Sequence, residues 1–130
     1  MPFVTDTHAL VWHMTRDPRL SLAARRVFES ADQGNETVHI PCISLFELVY
    51  LAEKRKVSID LNTLLARISS STNYPVEPMY APVITQSESV PRSSVPDPWD
   101  RLIAATSILL KLPLITRDPA LRGLDISTVW

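Results

Sequence analysis

Short apolar runs alternate with amphipathic stretches along nearly the whole chain, and this alternation restricts the fold more than any single motif does. Phe3-Val4-Thr5, Val38-His39-Ile40-Pro41 and Leu114-Ile115-Thr116 read as buried strands, with a weaker strand around Val76 and a last one from Ile126 to Val129. Between them lie helical patterns. One starts at Thr7 and is stopped by Asp17-Pro18, where the residue before proline is driven out of the helical region. A second runs from about Ser21, and Gly34-Asn35 turns the chain after it. Ser44-Leu45-Phe46-Glu47 has capping-box spacing and predicts a helix that ends on the basic run Lys54-Arg55-Lys56. Another follows Asp60, with Leu61, Leu64, Leu65 and Ile68 on one face. A short helix is expected near Pro82 to Ser89, and Val90 to Pro98, rich in Pro and Ser, reads as a surface loop. Asp97-Pro98 then caps a strong helix, with proline at its first position. Strands that alternate with helices predict an α/β fold: a mainly parallel central sheet with helices on both faces, in three layers.

The 130 residues suit one domain, 1–130, and a hydrophobic content of 45% is enough for one core. No apolar run reaches the ~20 residues needed to span a bilayer. The opening residues lack the basic and apolar regions of a signal peptide, so a cytoplasmic location is expected. A single cysteine, Cys42, rules out an internal disulfide and fits a reducing compartment. Its apolar neighbours predict a core position. The net charge of −1 gives no long-range attraction to nucleic acid, so binding of RNA must rest on local basic groups, metal ions or both. There are only two glycines, Gly34 and Gly123. A glycine-rich phosphate loop cannot be built from them, which excludes P-loop and dinucleotide-binding readings.

Acidic residues recur at one structural position. Asp6 follows the first strand, Glu47 falls in the first turn of the helix after the second, Asp100 in the first turn of the Asp97 helix, and Asp118 after the strand Leu114-Ile115-Thr116. In a parallel sheet these junctions lie along one edge, where ligands bind. Converging carboxylates repel one another and call for a cation. Mg²⁺ or Mn²⁺ suits an all-oxygen site, and such an ion activates water against a phosphodiester. Each acid also has a purely structural use. Asp6 and Asp97 suit helix N-caps, Glu47 and Asp100 suit capping-box partners, and Asp118 suits a turn before Pro119.

Four segments carry a family resemblance. Thr5-Asp6-Thr7-His8-Ala9-Leu10-Val11-Trp12, Ile43-Ser44-Leu45-Phe46-Glu47, Asp97-Pro98-Trp99-Asp100-Arg101-Leu102-Ile103-Ala104-Ala105-Thr106 and Leu114-Ile115-Thr116-Arg117-Asp118 occur in the order found in PIN-domain proteins. Together they resemble VapC-like toxin ribonucleases of type II toxin–antitoxin systems. The resemblance implies a metal-dependent endoribonuclease with Asp6, Glu47, Asp100 and Asp118 as its catalytic and metal-binding quartet, Asp6 and Asp100 being the principal ligands of Mg²⁺ (or Mn²⁺). Asp97, Thr116 and Ser44 are auxiliary candidates, the last two as holders of a metal-bound water. Arg101 and Arg117 are candidate contacts to RNA phosphate. The resemblance also implies a small antitoxin partner and a homodimer, with the helices Ser44–Lys56 and Asp60–Ser71 as candidate interfaces. Trp12, Trp99 and Trp130 read as packing residues. His8 and His13, five residues apart on a helix, do not share a face well enough to chelate.

Three other readings are weaker. An aspartate-nucleophile phosphatase wants a second Asp two residues after the first, where His8 stands. A phosphorylated receiver domain wants paired acids after the first strand and a Lys after a late one, where Arg117 and Asp118 follow Thr116. A non-catalytic PIN-fold module binding RNA or protein would be expected to have lost acids.

Overall fold

The computed structural model describes residues 1–130. Its elements alternate as the apolar runs predict: β1 (Phe3–Thr5), α1 (Thr7–Met14), α2 (Leu22–Asp32), β2 (Val38–Pro41), α3 (Cys42–Glu53), α4 (Leu61–Ser69), β3 (Val76–Glu77), α5 (Ala81–Ser87), α6 (Pro98–Leu110), β4 (Leu114–Ile115), α7 (Pro119–Arg122) and β5 (Thr128–Val129). The five strands form one sheet in the order β3-β2-β1-β4-β5. All neighbours are parallel, with Val4 opposite His39 on one side and Leu114 on the other.

Strand residues alternate between faces, and so divide the core in two. Val38, Ile40 and Ile115 pack with residues of α1, α2 and α4, including Leu10, Phe28 and Leu64. Val4 and Leu114 pack on the other face with Ile103 and Ala104 of α6 and Leu121 of α7. The central strands β1 and β4 are thus covered by helices on both sides and are buried along most of their length, whereas the edge strand β3 leaves Val76 exposed.

The helix starts follow local chemistry. Asp6, Ser21, Asp60, Asp97 and Asp118 each accept a backbone N–H from the first turn of the following helix. Two helices lack a side-chain cap bond: α5, which follows Tyr80, and α3. The sequence predicts that Ser44 opens α3, but the helix begins at Cys42, directly off β2, with Pro41 at the cap. Proline has the φ that a helix entry needs and no N–H to satisfy, so the chain passes from strand to helix without a turn. Ser44 is therefore the third helical residue, 1% exposed, and its hydroxyl has no hydrogen-bond partner. Glu47 falls in the second turn, not the first.

Two further expectations change. The segment Val90–Pro98 is not simply surface: Val90 and Val95 are buried and anchor it to the α6 face of the core. Cys42 is half-buried instead of sitting in the core. With only two glycines in the chain, three basic residues occupy left-handed backbone at helix ends: Arg16, Arg55 and Lys111, with φ of 55°, 54° and 57°.

Candidate active site

The connections leave the sheet in opposite directions at its middle. From β1 the chain passes through α1 and α2, on one face, to β2. From β4 it passes through α7, on the other face, to β5. A crevice opens between the carboxyl ends of such a pair of strands. Asp6 follows β1, and Thr116 to Asp118 follow β4, so both sides of the crevice carry site candidates. The resulting cleft has a volume of about 480 Å³, and all four quartet acids line it: Asp6, Glu47, Asp100 and Asp118, joined by Asp97.

Asp6 is 7% exposed and has two fixed oxygens. Oδ1 accepts the Ala9 N–H at 2.8 Å, which is the α1 cap, and Oδ2 accepts the hydroxyl of Thr116. The structural and the site readings of Asp6 are therefore both satisfied by one residue. Burial pushes its carboxyl up to about 6, although the bonds from Thr116 and Ala9 favour the charged form. Thr116 also accepts the Asp118 N–H at 3.1 Å, so its buried hydroxyl ties the two sides of the crevice together. Asp118 Oδ1 caps α7 through the Ala120 N–H at 2.8 Å. Glu47 accepts the hydroxyl of Thr7.

Asp100 is pushed up to about 8, first by burial and then by the charges of Asp97, Asp118 and Glu47. Asp97 itself is exposed and caps α6, accepting the Trp99 and Asp100 N–H groups at 2.8 and 3.3 Å. No three or more His, Cys, Asp or Glu side chains are grouped tightly enough to chelate an ion directly.

The auxiliary candidates separate. Ser44 is buried but does not line the cleft, whereas Thr116 touches both Asp6 and Asp118. Arg117 lines the cleft, and Arg101 does not. The Arg101 guanidinium turns toward the protein, donating to the carbonyls of Val90 and Ser87, both at 3.0 Å, and clasps the loop before α6. His8 lines the cleft, while His13 pairs with Asp32 at 2.9 Å and stacks on Phe28. Sequence reasoning missed Arg19, a second arginine of the cleft. Its only signal was a short loop, Asp17-Pro18-Arg19, that brings the end of α1 back toward Trp12.

The sequence profile of the PIN domain matches residues 3–126. The chain belongs to the PIN-domain family. This PIN domain is 32% identical over 118 residues to Ribonuclease VapC22 of Mycobacterium tuberculosis, covering 91% of this chain and 88% of that protein. Its fold is similar to a chain in the structure of VapBC2 from Rickettsia felis bound to a promoter DNA fragment, with a TM-score of 0.69 and 18% identity over 98% of this chain and 97% of that one. A chain of DNA-bound VapBC from Salmonella typhimurium gives 0.68 and 19%, over 98% and 96%. The PIN fold expected from the sequence, α/β with a parallel sheet, is the fold observed, and all of the sheet is parallel.

Proposed function

We propose that this PIN domain, residues 1–130, is a metal-dependent endoribonuclease that acts as the toxin of a toxin–antitoxin pair. One observation carries the metal: Asp6, Glu47, Asp100 and Asp118 line a single cleft, where Asp6 is raised by burial and Asp100 by burial among other carboxylates. A divalent cation removes that penalty, because it favours the charged form of every acid around it. The donor set is all oxygen, which suits Mg²⁺ or Mn²⁺. The spacing of the acids favours a hydrated ion that meets few carboxylates directly, as Mg²⁺ prefers. Asp6 and Asp100 would be the principal ligands, with Glu47 and Asp118 completing the site directly or through water. When bound, the ion supplies an activated water and offsets charge on the phosphate.

The other residues position this set. Thr116 fixes the Asp6 carboxylate, and Thr7 holds Glu47. The RNA substrate is supported by the 32% identity to a protein named as a ribonuclease. The antitoxin partner is supported by the likeness to chains from VapBC complexes. No helix is long and apolar enough to cross a membrane. A lone, half-buried thiol suits the reducing cytoplasm in which RNA is met. A homodimer would use α3, where Phe46 and Tyr50 are 52% and 43% exposed and pack with Trp99 into an aromatic patch. The other candidate helix, α4, turns Leu64 and Ile68 into the core and packs Leu61 and Leu65 against it.

The test compares purified chain with Asp100→Asn on total cellular RNA in Mg²⁺, in Mn²⁺ and in chelator. Cleavage only by the unaltered chain, and only with metal, is the expected result. Equal cleavage by both proteins, or cleavage that survives the chelator, refutes the assignment.

A further inference from the structure

The cleft carries two arginines on a common support. The guanidinium carbons of Arg19 and Arg117 lie over the Trp12 ring, 4.7 and 5.0 Å from its centroid. Trp12 is 7% exposed and is itself wedged against Trp130, with ring centroids 5.8 Å apart, so the support is fixed. Stacking on an indole orients a guanidinium plane and leaves its edge donors free. Arg19 is oriented a second time by Asp17, through Nε to Oδ1 at 3.0 Å and Nη2 to Oδ2 at 2.7 Å. That pairing uses two of its five N–H donors and leaves the Nη1 side open. Arg19 is still 57% exposed, and Arg117 is exposed with no ion pair.

Both arginines line the cleft that holds Asp6, Glu47, Asp97, Asp100 and Asp118. Five carboxylates repel an anionic strand. A cation offsets this at the scissile group only, so the phosphates beside it need fixed positive charge at the rim. Other than His8, Arg19 and Arg117 are the only basic residues on the cleft wall. We propose that Arg19 and Arg117, presented by Trp12, form a clamp for an RNA phosphodiester next to the one that is cut. Trp12 is the positioning residue, and the planar guanidinium edges make the contact, as arginine forks do with phosphate. Because Asp17 neutralises part of the Arg19 charge, Arg117 carries more of the electrostatic attraction and Arg19 more of the geometry. The clamp rests on the ribonuclease reading above and adds to it where the substrate strand must pass.

The test separates binding from cleavage by working in the Asp100→Asn chain. A labelled single-stranded RNA oligomer is titrated by fluorescence anisotropy over a range of monovalent salt concentrations at fixed Mg²⁺. Each lost phosphate contact lowers the slope of log affinity against log salt by about 0.7 for a single strand. Arg19→Ala with Arg117→Ala removes the contact to that one phosphodiester and is expected to lower it by about 0.7, with Arg117→Ala alone taking the larger share. Arg19→Lys with Arg117→Lys is expected to keep the slope while weakening binding several-fold, because lysine keeps the charge but not the fork or the stack. All of these residues are exposed, and unchanged melting temperatures verify that the variants fold. Equal affinity and equal slope for the parent and the alanine variants overturn the clamp while leaving the ribonuclease reading in place. A parent chain that binds no RNA overturns both. Loss of affinity for an acidic peptide, with RNA binding unchanged, would assign the arginines to a protein partner and also overturn the clamp.

Discussion

Thr116→Val tests the link between the two sides of the crevice. The side chain is fully buried, and valine matches its shape, so the change removes one hydroxyl and little else. That hydroxyl donates to Asp6 Oδ2 and accepts the Asp118 N–H. Hydrogen bonds to charged groups contribute about 1.5–3 kcal/mol. About 1.4 kcal/mol shifts a carboxyl by one pKa unit. Asp6 stands at about 6 with the bond in place, so without it the metal-free carboxyl should titrate roughly one to two units higher. At pH 7 the ionised fraction then falls from about nine-tenths to between about a half and a tenth. The expected consequence is a roughly two- to ten-fold loss of Mg²⁺ affinity at pH 7, recovered near pH 9. Carbon-detected NMR titration of the Asp6 carboxyl in the metal-free chain reads the first quantity, and calorimetry reads the second. Thr116→Ser keeps the hydroxyl and should behave like the parent. An Asp6 titration unmoved in Thr116→Val would refute the reasoning, since burial alone would then set its acidity.

Other outcomes follow from the same geometry. Because Asp100 holds its proton up to about 8 in the folded chain, the native state binds more protons than the unfolded state between about pH 4 and 8. Stability contributed by the protonated form is present at low pH and lost as pH rises through 8, so the metal-free melting temperature should fall from pH 6.5 to 9, and Asp100→Asn should flatten that slope. Saturating Mg²⁺ should do the same for the unaltered chain by stabilising the charged form. Ser44→Ala removes a buried hydroxyl that has no partner, and denaturant titration should show unchanged stability or a gain of about 1 kcal/mol, the reverse of what loss of a helix cap would give. Arg101→Ala breaks two bonds, to the carbonyls of Ser87 at the end of α5 and Val90 in the loop after it, and should cost about 1–3 kcal/mol, read by the same titration, while hydrogen exchange quickens between Ser87 and Val95. Lys111→Gly, at a left-handed helix end, should raise stability by up to about 1 kcal/mol.

What was legible in the sequence was mostly what short-range chemistry decides. Asp60 and Asp97 cap helices as their neighbours predict, because an acid before an apolar-periodic stretch satisfies orphan N–H groups wherever the helix later packs. The alternation of strands and helices gave the layer order, and parallel strands gave the shared edge on which Asp6, Glu47, Asp100 and Asp118 meet. The misreadings came where tertiary packing overrode a local pattern. Ser44 and Glu47 match a capping box, but β2 runs straight into α3 at Pro41 and leaves the pattern inside the helix. The Pro- and Ser-rich composition of residues 90–98 hid two valine anchors. Arg101 follows Asp100 in sequence, but one helical step turns it about 100° away from the cleft and onto the loop. Arg19 was invisible as a site residue because its place depends on where Trp12 sits once α1 has packed.

The bond between Thr116 and Asp6 joins residues 110 apart in the chain. β1, which carries Asp6, lies at the sheet centre and needs β4 as its second neighbour. A ribosome releases the first strand long before the segment that holds Thr116 and Asp118. Until that segment arrives, Asp6 lacks its hydroxyl donor and the cleft lacks one wall. A chain that ends before this segment therefore lacks both the Thr116 hydroxyl and the Asp118 carboxylate of the cleft. The order of synthesis thus makes the acidic site one of the last parts of the fold to be completed, after residue 118 has been made and β4 has paired with β1.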